Sequence, residues 1–367
     1  MSFLDLSDTS QSIDTRTYFL IENPNRTLQI VLMTGTNCFS TVVNFLGFYL
    51  ILIESKRELK VYRLVLFTHN LSLYLAQFYL GSIVNAAMLF PFPGFYSIGP
   101  LASLVDSFAL MLIWLVIFGF SVVMMYVIVL FRLKSMTKPG DMFHFGYPAY
   151  TVFTVILCAY IYIPVIYFWC AGLDTKERTR QFVAIFYPNC LKVFNFPGVF
   201  VYSNPKMFEI MSFGAVFLLA SGAALYLTIC FIIVYQIQRY CQVWSQRQLN
   251  YHRKVLKDTV IQNVLRGTCL LFAPIAEIAM NHLDPATDLK TIAIIANVSF
   301  SAAPIPCTIA MFFQNPHYRK FLFSRFMRIF KMSGGNSEVE RERDRTTVVG
   351  PARRISKGGI QIAPNYG

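Results

Sequence analysis

Residues 291–331 read TIAIIANVSFSAAPIPCTIAMFFQNPHYRKFLFSRFMRIFK, and this stretch decides the fold. Its first part, 291–313, is apolar and longer than the roughly 20 residues that a helix needs to cross a bilayer. Pro304 and Pro306 interrupt it, and a proline leaves a backbone carbonyl without its helical partner. Because lipid cannot supply that partner, we expect this helix to pack inside a bundle.

The second part, 314–331, changes to an amphipathic pattern. Aromatic and aliphatic residues recur at helical spacing, and the remaining positions carry Arg319, Lys320, Arg325, Arg328 and Lys331. This pattern predicts a C-terminal amphipathic helix that lies on an anionic cytoplasmic membrane surface. Residues 332–367 lack an apolar period, and we expect a disordered cytoplasmic tail. In that tail Ser356 follows two arginines and is a candidate phosphorylation site, the alternative being a purely solubilising tail.

The composition indicates an integral membrane protein. Of the 367 residues, 55% are hydrophobic and 14% are charged, whereas a soluble chain is about 45–50% apolar and about 25% charged. Seven apolar segments are predicted to span the membrane, at 28–53, 62–90, 101–131, 148–172, 209–236, 260–283 and 291–313. We therefore predict an all-α seven-transmembrane helix bundle over 28–313, after an extracellular N-terminal segment, 1–27. The long connection 173–208 is expected to act as a functional lid.

The distribution of positive charge predicts the orientation. Seven crossings place 23 Lys and Arg on one side, with the tail, and 8 on the other side, with the N-terminus. Basic residues concentrate in cytoplasmic loops, so we expect the N-terminus outside and the C-terminus inside, in the plasma membrane. The formal charge of +13 then reflects topology rather than a nucleic-acid partner. Asn25, in an N-x-T sequon near the first span, is a candidate glycosylation site.

The sequence contains no motif that would indicate catalysis. It lacks a glycine-rich phosphate loop, an HExxH motif and a CxxC motif, so we expect neither an enzyme nor a bound cofactor or metal. Cys170 and Cys190 fall on the predicted outer side, where they either pair as a disulfide or stay reduced.

Charged side chains inside spans are costly in lipid and therefore mark candidate sites. Asp106 is either an interfacial acid in water or a counter-charge for a ligand cation or a neighbouring helix. Glu277 is a pocket candidate or a structural acid, and Arg266 either snorkels inward or pairs across helices. Pro274 predicts a kink in the sixth segment, which is either a hinge or a rigidly packed bend. The candidate ligand region comprises Asp106, Trp114, Glu277, Asn281 and Asn297.

Five short motifs, in this order along the chain, resemble the nematode serpentine chemoreceptors, most closely the srh/sri branch of the Str superfamily. They are LKVYRLVLFTHN at 59–70, MLFPFPGFYSIGP at 88–100, VIVLFR at 127–132, the sixth-segment pattern at 256–274 and NPHYR at 315–319. Two features depart from seven-helix receptors in general. Phe131 stands before Arg132, where class A receptors carry an acid that restrains the arginine, and no cysteine lies at the outer end of the third segment.

The resemblance implies a chemosensory G-protein-coupled receptor in the ciliary membrane of sensory neurons. A small molecule of odorant or pheromone type, or a peptide, would bind from outside. Outward movement of the sixth segment would then open an inner cleft to a heterotrimeric G protein. The candidates for that inner surface are Arg132, Lys134, Arg239, Arg253, Lys254, Lys257 and Arg319. The alternative is a ligand-gated channel subunit of seven-helix type, which would place the N-terminus inside.

Overall fold

The computed structural model describes residues 26–54, 60–89, 94–137, 141, 143–144, 146–195, 198–280 and 289–333. The helices are α1 Arg26–Tyr49, α2 Lys60–Phe78, α3 Ser107–Met136, α4 Tyr147–Ala171, α5 Lys176–Phe186, α6 Pro205–Arg239, α7 Gln246–Met280, α8 Leu289–Ala302, α9 Pro304–Gln314 and α10 Pro316–Ser333. Helices α1 and α2 continue as π-helical turns, Leu50–Glu54 and Tyr79–Val84, and Pro188–Asn195 is a 3-10 helix. The strands are β1 Ala86–Met88, β2 Gly94–Ser97 and β3 Phe200–Val201.

The chain divides into two compact units, one up to Pro316 and one from His317 onward. In the first unit the seven predicted segments correspond to α1, α2, α3, α4, α6, α7 and the pair α8 and α9. The prediction of an all-α bundle is therefore confirmed in its main architecture. The second unit contains most of α10, which is helical where the sequence predicts the amphipathic helix.

Five helical segments in the described part of the chain are long and apolar enough to cross a membrane. They are Thr27–Ile53, Ser107–Met136, Tyr147–Ala171, Lys206–Arg239 and Thr291–Gln314. Helices α2 and α7 form where two further spans are predicted, but polar residues lower their apolar content. In α7 many of these polar residues lie in its first half, before residue 260.

Burial divides these helices into interior and peripheral ones. The apolar window of Thr291–Gln314 is 56% buried, whereas those of Tyr147–Ala171 and Lys206–Arg239 are each 11% buried. The expectation that the proline-containing last span packs inside the bundle is thus confirmed. Helices α4 and α6 instead expose large apolar side chains such as Ile163, Phe217 and Phe231. A surface of this kind is stable in lipid rather than in water.

Several predicted boundaries are wrong, for identifiable reasons. The second segment does not remain helical to residue 90, because Asn85 adopts a left-handed conformation (φ 44°) that ends the π turn and starts β1. The third helix begins at Ser107 rather than 101 and runs on to Met136. The sixth begins at Gln246, well before 260, because a polar helical extension carries no apolar signal. The connection 173–208 is not irregular, since it contains α5, a 3-10 helix and β3.

A buried polar ladder joins α1, α2 and α9. Gln77 donates through Nε2 to Asn37 Oδ1 (3.2 Å) and Ser40 Oγ (3.1 Å). Asn44 Nδ2 donates to Ser40 Oγ (3.0 Å), and Thr308 Oγ1 donates to Asn44 Oδ1 (2.9 Å). All five side chains are at most 3% exposed. Since a buried amide needs partners in lipid, this ladder fixes how the three helices pack.

The close approach of α1 and α9 beside the ladder depends on Gly47. A Cβ at this position would lie 2.8 Å from Thr308 Cγ2, which is closer than carbon atoms pack. Small residues permit such close helix contacts in membrane bundles. Gly47 therefore keeps Thr308 within hydrogen-bonding reach of Asn44.

Candidate functional site

A three-stranded antiparallel sheet connects the loops at one end of the bundle. Strand β1 pairs with β2, and β2 pairs with β3, with Phe95 opposite Phe200. The sheet is attached to the start of α3, where Ser107 N–H donates to Gly198 O (3.2 Å) and Ser97 N–H donates to Ser107 Oγ (2.9 Å). Gly198 has φ +63°, a conformation that glycine adopts without strain. Thus β3, within the 173–208 connection, is anchored to the head of the third helix.

Four aromatic rings pack where this sheet meets α3 and α4. Trp169 lies 5.6 Å from Phe95, 5.6 Å from Phe108 and 5.4 Å from Phe200, measured between ring centroids. Its Nε1 donates to Phe108 O (3.4 Å). Aromatic pairs of this kind each add about 0.5–1.5 kcal/mol to the packing. We call the sheet and these four rings the aromatic lid.

Trp114 and Asn297, two of the predicted ligand residues, lie further into the bundle on α3 and α8. Trp114 stacks on Phe118 (5.3 Å, 9° between planes) and meets Phe300 edge-on (5.4 Å). Asn297 is 4% exposed and precedes Phe300 by one helical turn. The Trp114 Nε1 atom is buried without a hydrogen-bond partner among the described residues. Trp114, Phe118, Asn297 and Phe300 are named the outer aromatic cluster.

The other predicted ligand residues are placed differently. Asp106 is exposed at the N-cap of α3, makes no capping hydrogen bond, and precedes the lid anchor Ser107. Glu277 belongs to α7, but its side chain, like that of Pro274, lies outside the described residues, and so does Asn281. The structure therefore places Asp106 at the rim and Trp114 and Asn297 inside.

At the opposite end of α3, Arg132 packs on an aromatic ring rather than on an acid. Its Cζ lies 3.6 Å from the centroid of Tyr62 on α2, and Phe131 stacks on the same ring at 5.8 Å. A guanidinium over a ring is stabilised by about 0.5–2 kcal/mol. The Phe131-Arg132 pair thus holds α3 against α2 by stacking.

A contact that we call the inner latch joins the α3–α4 loop to the end of α6. Asp141 accepts a hydrogen bond from Tyr240 Oη, and its Oδ1 lies 3.5 Å from Arg239 Nη1. The Asp141 side chain is 8% exposed, whereas that of Arg239 is 49% exposed. Arg239, a predicted inner-surface residue, is therefore paired with Asp141, and it is the more exposed member of that pair.

The latch continues as a stack of rings to the start of α7. Tyr240 lies 5.0 Å from Trp244, and Trp244 lies 4.6 Å from His252. Burial, followed by the nearby charge of Arg132, lowers the pKa of His252 below its usual value. Arg132 also lines a cavity of only about 10 Å³, together with Leu256 and Thr259 in the first half of α7. The helices are closed together at this end.

Three other predicted inner residues share an exposed face of α7. Arg253, Lys254 and Lys257 are all exposed and occupy positions one and four apart on the helix. Lys134, by contrast, is covered by the rings of Tyr147 and Tyr150 on α4. Arg319 is exposed on α10, in the second unit.

The sequence comparison decides what kind of bundle this is. A family model described as serpentine type 7TM GPCR chemoreceptor Sri matches residues 22–322, which is most of the chain. The chain belongs to the Sri chemoreceptor family. The receptor is accordingly a multi-pass membrane protein, and its family consists of chemosensory receptors rather than enzymes. No curated protein matches its sequence.

Several predicted features of this Sri receptor lie outside the described residues. These are Asn25, Ser356 and the side chain of Cys190, while Cys170 is exposed at the end of α4. The disulfide, the glycosylation and the phosphorylation therefore stay predictions. No group of three or more metal-binding side chains occurs in the part of the receptor that is described.

Sequence reasoning missed three features of the receptor: the aromatic lid, the inner latch and the polar ladder. The latch carries no recognisable motif, because its central contact joins Asp141 to Tyr240 about one hundred residues away. The ladder did leave a signal. Asn37, Ser40 and Asn44 recur at helical spacing inside an otherwise apolar span.

Proposed function

We propose that this receptor binds a small molecule of odorant or pheromone type, or a peptide, from outside the cell and activates a heterotrimeric G protein. In this proposal the N-terminus is extracellular, the tail is cytoplasmic, and the receptor acts in the ciliary plasma membrane of sensory neurons. The charge asymmetry supports that orientation. The family match supports the receptor role.

The outer aromatic cluster is the proposed ligand site. The observation that carries this proposal is the Nε1 of Trp114, which lies beside the rings of Phe118 and Phe300 and has no hydrogen-bond partner among the described residues. A buried donor without a partner costs about 1–3 kcal/mol, and a ligand acceptor would recover that cost. The chemistry favours a largely apolar ligand with a hydrogen-bond acceptor, because aromatic rings flank the Trp114 donor.

The inner latch is the proposed switch. Ligand binding would favour a state in which α7 and the end of α6 move away from α3, with the kink at Pro274 as hinge. Opening would break the Asp141 contacts and separate the rings from Tyr240 to His252. The exposed face of Arg253, Lys254 and Lys257 would then meet an acidic surface of the G protein, together with Arg132. Arg319, on α10 in the second unit, is a separate candidate contact.

Expression in a reporter cell tests G-protein coupling against the channel alternative. A response to an odorant and pheromone panel should disappear when the cell's G proteins are removed, and an epitope tag at residue 1 should be readable on intact cells. Ligand-gated current that persists without G protein, with a tag readable only after permeabilisation, would instead support the channel.

Replacing Trp114 with Phe should lower the potency of acceptor-bearing ligands about 5-fold, since a neutral hydrogen bond contributes about 1 kcal/mol. Potency should hold for ligands without an acceptor. The matched control is Trp169→Phe, because the Trp169 N–H already bonds to Phe108 O.

Dose–response curves for Glu277→Gln and Asp106→Asn test the two acids of the predicted ligand region. Unchanged potency in both acid variants removes them from the ligand region, and unchanged potency in Trp114→Phe removes the outer aromatic cluster.

A further inference from the structure

Arg266 carries a positive charge in the interior of the bundle. It lies on α7 and is 3% exposed. Its Nη2 is 3.4 Å from Asn70 Oδ1 on α2, and its Nη1 is 3.5 Å from Asn263 Oδ1. Both hydrogen bonds are long, and Nε has no partner among the described residues. The arginine therefore pairs across helices, one of the two arrangements expected for it. Its partners among the described residues are neutral: the amides of Asn70 and Asn263 and the thiol of Cys307.

No acid among the described residues pairs with this charge. The ion pairs found there belong to Arg178 and Arg239. The side chain of Glu277 lies outside the described residues, and its position is three helical turns along α7, about 16 Å from that of Arg266. An ion without a counter-charge is strongly unfavourable in a low-dielectric interior, and amide dipoles reduce that cost but do not neutralise the charge.

The unmet hydrogen-bonding capacity around Arg266 points to an acceptor rather than a donor. The Asn70 amide already donates to Leu66 O (2.8 Å), and the Asn263 amide donates to Tyr226 Oη (2.5 Å). Both amides thus direct their oxygens at the arginine. His69, next to Asn70, is 3% exposed, and its Nδ1 also lacks a partner among the described residues. In the tautomer with a proton on Nδ1, it would be a second free donor.

We propose that Arg266 and His69 bind a small inorganic anion of the size of chloride inside the bundle. The anion would accept hydrogen bonds from Arg266 Nε and His69 Nδ1 and would neutralise the guanidinium. Met280, at the far end of α7, is about 20 Å away along the helix axis. That depth excludes the carboxylate of a ligand bound at the outer rim. The site is separate from the outer aromatic cluster, so it stands or falls independently of the proposed ligand.

The test is anion-dependent stability of the purified full-length receptor in nanodiscs of zwitterionic lipid. Chloride replaces gluconate, which is too large for the site, at constant sodium and ionic strength. The Tm should rise by about 2–4 °C and saturate as the site fills. An identical Tm in chloride and gluconate overturns the proposal, because a water molecule at the site would give no anion dependence.

Two variants and a control assign the effect to the site. Arg266→Gln should abolish the chloride dependence, and His69→Phe should weaken the apparent chloride affinity about 5-fold, as one lost hydrogen bond predicts. Arg178→Gln, at a side chain that is 64% exposed, should keep the full dependence. Chloride dependence that survives in Arg266→Gln overturns the proposal. If that variant does not fold, an unchanged affinity in His69→Phe overturns it instead.

Discussion

Asp141→Asn should raise ligand-independent signalling about 5- to 10-fold in the reporter cell. Asp141 is the shared acceptor of the inner latch, bonded to Tyr240 and paired with Arg239. A hydrogen bond to a charged acceptor contributes about 1.5–3 kcal/mol, whereas a neutral one contributes about 0.5–1.5. The difference of about 1–1.5 kcal/mol shifts the closed-to-open equilibrium by roughly that factor.

The two partners of Asp141 should not contribute equally. Tyr240→Phe removes the bond from a buried side chain, which is 8% exposed, and should raise basal signalling nearly as far. Arg239→Gln should have a much smaller effect, because its side chain is 49% exposed and water screens the ion pair. If Arg239→Gln raises basal signalling as far as Tyr240→Phe, the exposed ion pair stabilises the latch as much as the buried hydrogen bond, and the expected screening by water is wrong.

The matched control for the latch is Asp174→Asn. Asp174 also pairs with an arginine, Arg178 at 3.8 Å, and accepts a hydrogen bond from Ser203. It lies in the connection that carries the lid, so its loss should leave basal signalling unchanged. Basal activity that rises in this variant as much as in Asp141→Asn would mean that any lost aspartate activates the receptor. Equal basal signalling in Asp141→Asn and wild type, at matched surface expression, would contradict the latch.

The sequence predicts the helices well because each helix is encoded by a local pattern of residues. An apolar run of sufficient length can be read without knowing its neighbours, and Pro304 marks the break between α8 and α9 in the same way. The interior position of that last span follows equally from the prolines. The pairing of Arg266 can also be predicted from the sequence, since a charged side chain in an apolar span needs a polar partner.

The sites depend on contacts that no local pattern encodes. The strands of the aromatic lid have three, four and two residues, and β2 meets β3 more than one hundred residues away. Asp141 looks like an ordinary loop acid until Tyr240 is placed beside it. The missing acid before Arg132 suggests a weaker restraint on α3, yet the ring of Tyr62 takes that role. Which side chain takes such a role depends on packing in three dimensions.

Gln77→Leu should lower the free energy of unfolding by about 2 kcal/mol, the largest loss of stability expected among the variants proposed for this receptor. Gln77 is 1% exposed and its one amide bonds both Asn37 and Ser40 across the α1–α2 contact. Single hydrogen bonds between membrane helices average about 0.6 kcal/mol, but here the substitution also leaves the Asn37 oxygen buried without that donor. The Tm of purified receptor and the amount at the cell surface should both fall, the latter several-fold.

The double variant Gln77→Leu with Asn37→Leu separates lost bonding from general disruption. Removing both partners of a buried hydrogen bond costs less than removing one, so the double variant should be more stable than the sum of the two single changes predicts. Gln242→Leu, at an exposed glutamine near the end of α6, is the control and should leave the Tm unchanged. Strict additivity in the cycle would mean that Gln77 and Asn37 act independently, and the ladder would then stabilise the bundle through packing rather than through its hydrogen bonds.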